Sequence, residues 1–195
     1  MTAPDDDDRL IDATLAGNAE AFGRLVARYQ DRLFGAMVCV VGSVEDARDV
    51  TQDAFVQAFL KLETFRRASA FYTWVYRIAS NAAASRRRKA NAGVSKGAVS
   101  IDGSASGYRH ELVDPGAAPD HRLVAQDRAE RVRAALGSLA EEYRVVLVMR
   151  EIDGCDYETI AEVLDLPIGT VRSRLHRART QMRELLKEVL EMERD

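Results

Sequence analysis

Apolar residues recur with a helical period almost from one end of this chain to the other, and strand-like alternation is scarce. Over residues 19–41 the positions Phe22, Leu25, Val26, Tyr29, Leu33 and Val40 fall on one stripe. Asn18 stands where an N-cap belongs, and Gly42 stands where the helix must stop. A shorter helix fits residues 9–16, ahead of the break at Gly17-Asn18. Ser43-Val44-Glu45-Asp46 has capping-box spacing and opens a helix to about residue 62, with Phe55, Ala58, Phe59 and Leu62 as its expected buried stripe. Another helix fits residues 69–89, where Phe71, Val75, Ile78, Ala79 and Ala82 share a core face.

The pattern lapses over residues 91–119. That stretch is rich in Gly, Ser and Ala, lacks an apolar stripe and carries the turn signal Asp114-Pro115-Gly116. Its length favours a flexible linker between two domains over a loop inside one. Helical spacing resumes over residues 120–136 and stops at Gly137. A second capping-box pattern, Ser138-Leu139-Ala140-Glu141, opens a helix to about residue 152. Asp156 can cap a short helix over residues 157–164, and Asp165-Leu166-Pro167 turns the chain into a final helix. Helix, three-residue turn, helix is the helix-turn-helix arrangement. The expected fold is all-α: a helical domain over residues 1–90, a flexible linker over 91–119 and a helix-turn-helix domain over 120–195.

Composition changes the picture through its distribution. The formal charge is only −3 over 195 residues, yet five arginines and no acidic residue lie between Ile168 and Arg183. Arg86-Arg87-Arg88-Lys89 forms a second basic cluster. Two basic patches far apart in sequence suit two contacts with one long polyanion. The four aspartates at residues 5–8 read as a solvated, frayed end. Cys39 and Cys155 form no CxxC pair and have no ligand spacing with His110, His121 or His176, so free thiols and no metal or other cofactor are expected. No apolar run approaches the ~20 residues of a membrane span. The acidic N-terminus does not read as a signal peptide, and a soluble cytoplasmic protein is expected.

Three constellations carry candidate chemistry. In the final helix, Val171, Leu175, Ala178 and Met182 fall on one side and the basic residues on the other. A DNA major groove admits such a helix; Arg172, Ser173, His176 and Arg177 can reach base edges, while Arg174, Arg179 and Arg183 are better placed for phosphates. Five of the thirteen aromatics (Phe65, Phe71, Tyr72, Trp74 and Tyr76) fall within twelve residues, followed by a row of Arg77, Asn81, Ser85 and Arg88. Aromatics beside arginines suit unstacked single-stranded bases, and they equally suit a core. On the third helix Asp46, Asp49, Asp53 and Gln57 line one face, which is either a solvated row or a dock for a basic protein surface.

Together these segments resemble the extracytoplasmic-function (ECF) class of bacterial sigma factors. The matching stretches are Ala47-Arg48-Asp49-Val50-Thr51-Gln52-Asp53-Ala54-Phe55, then Thr73-Trp74-Val75-Tyr76-Arg77-Ile78-Ala79-Ser80-Asn81, then Tyr143-Arg144 through Arg150, and Tyr157-Glu158-Thr159-Ile160-Ala161 through Arg179. The resemblance implies a non-enzymatic factor that binds core RNA polymerase, recognises promoter DNA and promotes strand opening. It implies polymerase binding through Asp49, Gln52 and Asp53. It implies minus-ten contacts, to double-stranded and locally melted DNA, from Phe65, Phe71, Tyr72, Trp74, Arg77, Asn81 and Arg88. It assigns the minus-thirty-five element to the final helix and an anti-sigma protein as a further partner. Two positions depart from the family pattern: Arg66-Arg67-Ala68-Ser69-Ala70 replaces a usual Phe-Arg-Gly turn, and Asp165 stands where Gly is common, although Asp tolerates left-handed geometry.

A free-standing helix-turn-helix regulator is the alternative reading, but it has no need of the aromatic and basic helix. An enzyme acting on nucleic acid would need a metal or nucleophile constellation, and none stands out.

Overall fold

The computed structural model describes residues 4–94 and 119–191, which form eight α-helices with no strand among them. The first four are α1 (Pro4–Leu15), α2 (Ala19–Val41), α3 (Val44–Leu60) and α4 (Phe71–Val94), with a 3₁₀ turn at Leu62–Thr64. The second group is α5 (Pro119–Ser138), α6 (Glu141–Leu147), α7 (Tyr157–Leu164) and α8 (Ile168–Glu191), with a π-helical turn at Val148–Ile152.

The predicted caps are largely formed. The Asn18 side chain accepts from the Glu20 and Ala21 amides, Ser43 from Asp46, and Asp156 from Thr159. Gly42 ends α2 at φ 78°, and its amide donates to the Val38 carbonyl. Ser138 behaves otherwise. It belongs to the end of α5 and bonds back to the Ala134 carbonyl, so α6 starts from Ala140 without a side-chain cap. Gly137 therefore does not stop its helix. α4 runs through Val94, into the first residues of the expected linker, and residues 95–118 lie outside the described residues.

The N-terminal acidic run is not a frayed end. Pro4 opens α1, and Asp6 and Asp7 pair with Arg28. Asp7 also accepts from the Tyr29 hydroxyl, while Asp8 and Asp12 pair with Arg67. The signal the sequence concealed is long-range: the partners lie on α2 and in the loop ahead of α4.

Leu25, Leu33, Met37, Val50, Ala54, Val75 and Tyr76 form the heart of the first unit. Val146, Val148, Met149, Ile160, Val171, Leu175 and Ala178 form that of the second. On α3 the buried stripe is Ala47, Val50, Thr51, Ala54, Phe55 and Ala58. Phe59, expected to be buried, is 46% exposed. It lies beyond the inward stripe and meets Phe22 edge-on at the rim of an apolar groove between α2 and α3.

The two units also pack on each other. Arg144 of α6 is buried and donates to the Val40 carbonyl at the end of α2 (3.0 Å), and to Gly137 and Leu139 of its own unit (2.8 and 2.9 Å). A guanidinium suits the unsatisfied carbonyls of a helix C-terminus. Arg87 and Glu141 pair across the same boundary at 3.0 Å.

Candidate nucleic-acid and polymerase interfaces

The helix-turn-helix is formed by α7, the turn at Asp165–Pro167 and α8. Asp165 is in the left-handed region at φ 52°, where only Gly is unstrained but Asp is tolerated. The Leu166 amide returns to the Ala161 carbonyl, so the turn closes at the expected length. Val171, Leu175 and Ala178 are buried, and Met182 packs against them. That fixes the rotation of α8 and turns Arg172, Ser173, His176 and Arg177 outward, all exposed. Ser173 bonds to the Thr170 carbonyl, and the Arg177 guanidinium lies 3.4 Å from the Tyr143 hydroxyl. Two of the three expected phosphate ligands are engaged: Arg174 pairs with Glu142 at 2.7 Å, and Arg179 holds Glu151 through Nε and Nη2 at 3.0 and 2.7 Å. Arg179 and Arg183 also line an apolar groove with Val132, Leu147, Ile152 and Met182.

The aromatic cluster divides into two parts. Phe71, expected to meet bases, is 2% exposed and lies among Phe22, Tyr29, Phe65 and Trp74, with ring centroids 5.9–6.3 Å away. It is a core residue because α2 and the loop carrying Phe65 close over the start of α4. Phe65 and Trp74 are half-buried, stacked at 5.0 Å with a 35° tilt, and reach the surface together. Arg77, Asn81 and Arg88 are exposed one to four turns further along α4. Arg67, in the loop between them and α3, has φ 55° and is held by Asp8 and Asp12. A left-handed conformation there is one that L side chains rarely adopt.

Tyr72 differs from every other member of its set. It is 6% exposed, and its hydroxyl donates to Asp153 Oδ1 of the second unit at 2.7 Å. The Arg32 guanidinium sits 3.9 Å above its ring, and Arg32 in turn donates to the Asp153 carbonyl at 2.7 Å and approaches Oδ1 at 3.3 Å. Neither Arg32 nor Asp153 was a sequence candidate. An aspartate in a turn before glycine carries no sign that it will be buried by another domain. Burial pushes the Tyr72 and Tyr76 hydroxyls and the Asp153 carboxyl upward in pKa, outweighing on Asp153 the lowering influence of the Tyr72 hydrogen bond and of Arg32.

On α3 the side chains of Asp49, Gln52 and Asp53 are exposed. Arg86 of α4 bonds Asp49 at 2.8 Å and lies 3.9 Å from Asp53, which fixes that carboxylate pair beside the α4 surface. Cys39 and Cys155 are free and half-buried; burial raises both thiols, Cys155 to about 11. Such thiols stay protonated near neutrality and are poor nucleophiles. No grouping of metal-ligating side chains occurs among the described residues, and no described helix is long and apolar enough to cross a membrane.

Residues 25–93 match the family described as Sigma-70 region 2, and residues 129–182 match Sigma-70, region 4. The chain is 36% identical to the RNA polymerase sigma-H factor of Pseudomonas aeruginosa over 97% of its own length and 98% of that protein. It is 37% identical to the ECF RNA polymerase sigma-E factor of Escherichia coli over 89% of this chain and 90% of that one. The chain belongs to the ECF family of RNA polymerase sigma factors. It is therefore a transcription initiation factor and not an enzyme: it binds core RNA polymerase, recognises promoter DNA and promotes strand opening. Two solved structures share the fold of this sigma factor. CnrH in complex with the cytosolic domain of CnrY superposes with a TM-score of 0.68 at 28% identity, covering 94% of this chain and 98% of that one. The sigma factor RpoE from Bartonella quintana, in complex with the anti-sigma factor NepR, gives a TM-score of 0.69 at 24% identity, covering 85% and 96%.

Proposed function

We propose that this sigma factor divides its work between two modules, residues 1–90 and 120–195, joined by the intervening linker. The C-terminal module reads the minus-thirty-five element through Arg172, Ser173, His176 and Arg177 on α8. Arg174 and Arg179 serve the phosphates. Their ion pairs with Glu142 and Glu151 are exposed and worth at most about 1 kcal/mol, so exchanging them for phosphate costs little.

The N-terminal module captures the minus-ten element with Phe65, Trp74, Arg77, Asn81 and Arg88, and with Tyr72 once it is uncovered. Phe71 supports that surface from beneath. Asp49, Gln52 and Asp53 on α3 contact the polymerase clamp. An anti-sigma protein is a further partner, a reading supported by the solved relative that is complexed with one, and the protein works in the cytoplasm.

The observation that carries the strand-opening assignment is the Phe65–Trp74 stack reaching the surface beside the exposed row of Arg77, Asn81 and Arg88. No nucleotide-binding loop occurs in the sequence, so base capture must supply the opening energy; extruding a base costs about a few kcal/mol, and each stacked base returns roughly 1–3 kcal/mol. The test is permanganate footprinting of unpaired thymines by reconstituted holoenzyme. Trp74→Ala is expected to keep upstream binding and to lose downstream thymine reactivity, with thermal melting of the variant as the folding control. Unchanged reactivity in a folded Trp74→Ala protein would remove Trp74 from the strand-opening surface.

A further inference from the structure

The loop that joins the Leu62–Thr64 turn to α4 carries Phe65, one half of the stack that reaches the surface. Its ends are fixed by the backbone. The Phe65 amide donates to the Leu62 carbonyl at 3.0 Å, and the Trp74 amide donates to the Ala70 carbonyl at 3.2 Å. Between them the chain turns through Arg67 at φ 55°. A residue with a Cβ keeps such a conformation only where its surroundings hold it.

What holds it is α1. The Arg67 guanidinium donates to Asp12, and its Nε lies 3.6 Å from Asp8 Oδ1. Asp8 and Asp12 are four residues apart, so both project from the same face of the helix. The helix is a firm base for them. Leu10 and Ile11 are buried, Arg28 of α2 binds Asp6 and Asp7, and the Tyr29 hydroxyl donates to Asp7. The acidic residues of α1 therefore have two tasks: Asp6 and Asp7 fasten the helix to α2, and Asp8 and Asp12 reach out to the loop.

The Arg67, Asp8 and Asp12 side chains are all open to water. Ion pairs so exposed add little to global stability. Their leverage is local, because they select one shape of a short loop. Ordering a binding loop in advance removes that cost from the binding step. We propose that Asp8 and Asp12 are positioning residues for strand opening: through Arg67 they hold the loop in the shape that sets Phe65 against Trp74, ready to receive an unstacked base. The inference rests on the assignment of the Phe65–Trp74 stack to the minus-ten element. The rival role for the same contact, carboxylates that withhold Arg67 from DNA phosphates, predicts an effect of opposite sign.

Trp74 is the single tryptophan of the chain, so acrylamide quenching of its fluorescence reads the stack in the free full-length protein, without DNA. Reconstituted holoenzyme then gives promoter affinity and opening rate separately, from the concentration dependence of permanganate-reactive thymines. Asp8→Asn combined with Asp12→Asn removes both charges at constant side-chain size. Arg67→Ala removes the guanidinium and keeps the backbone demand, whereas Arg67→Gly removes both. Thermal melting by circular dichroism checks that each variant is folded, and the Arg28 pairs that fasten α1 are untouched in all of them. The carboxamide variant and Arg67→Ala are expected to raise quenching and to slow opening roughly tenfold at unchanged promoter affinity, as for a loop that keeps its competent shape about a tenth of the time. Arg67→Gly is expected to recover part of both losses, because glycine takes the left-handed turn without a clamp. Unchanged quenching in the folded carboxamide variant would overturn the clamp, whatever the DNA result. Faster opening in that variant would overturn positioning and make the carboxylates competitors of phosphate for Arg67. Equal losses for Arg67→Ala and Arg67→Gly would overturn it as well, and make Arg67 itself a DNA ligand. Raised quenching with parental opening would overturn the role in opening and place the failure on the assignment of the stack to the minus-ten element.

Discussion

Arg172 and Arg179 share one helix and one charge, yet they end in different places. Arg172 is exposed on the outward face of α8, and the buried stripe of Val171, Leu175 and Ala178 makes that orientation legible from spacing alone. Arg179 is drawn to Glu151, 28 residues earlier in the chain, and a helical wheel contains no information about that partner. Arg172→Ala is expected to lose about 1–3 kcal/mol of discrimination at a single upstream base position. Holoenzyme binding to a randomised upstream library reads this directly, and a uniform loss across sequences would make Arg172 a phosphate ligand instead. Asp153 is the opposite case, a site residue with no sequence signature. Its carboxyl meets Tyr72 and Arg32, and burial raises its pKa above the ordinary carboxylate value against the lowering influence of both. A raised folded-state pKa means that its contribution to stability is fully present below the ordinary value and is lost as pH rises through the raised one. Asp153→Asn keeps an acceptor for Tyr72 and cannot ionise. The urea midpoint of the parent relative to Asp153→Asn should therefore fall as pH is raised from about 4 towards neutrality. A parent that gains on the variant over that interval would show the Arg32 ion pair outweighing burial.

At the scale of elements, boundaries set by local chemistry were legible and those set by tertiary packing were not. Asn18, Ser43 and Asp156 each cap the helix that their position announces, because an N-cap needs only one side chain and the next turn. Ser138 has the same spacing to Glu141 and fails, since α5 runs through it and its hydroxyl is taken by Ala134. The start of α1 at Pro4 was hidden for the opposite reason: Arg28 of α2 neutralises, and Tyr29 hydrogen-bonds, aspartates that look solvated in isolation. The Asp156 cap matters most for function, because it begins the helix that positions the turn at Asp165. Asp156→Ala should cost about 1 kcal/mol of stability, read as a lowered urea midpoint at neutral pH. The hydrogen bond from Thr159 holds the Asp156 carboxyl below its ordinary pKa, so this contribution is present above the ordinary carboxylate value and is lost as pH falls through the lowered one. The gap between parent and variant should accordingly close in acid, the reverse of the trend for Asp153.

At the scale of the molecule, the all-helical class and the division into two helical groups follow from a continuous 3.6-residue period broken once. The packing of the groups on each other could not be read from that period. It depends on Asp153, Arg144 and Glu141 meeting Tyr72, Arg32, Val40 and Arg87 across more than fifty residues of chain. The exposed face of α3 lies outside this packing: Asp49, Gln52 and Asp53 remain accessible with the two groups in contact. Arg86 keeps Asp49 and Asp53 side by side, so their charges present one anionic patch to a basic clamp. Asp49→Arg combined with Asp53→Arg reverses that patch and also sets two cations against Arg86. Because all three groups are near the surface, water screens the new repulsion and the fold should survive, as a preserved thermal midpoint would show. The expected outcome is loss of co-purification with core polymerase, while binding of the free protein to duplex DNA through α8 is unchanged. Retained co-purification by the folded double variant would move the polymerase contact off this face of α3. The apolar groove between α2 and α3, rimmed by Val56, Phe59 and Leu60, would then be the next surface to alter.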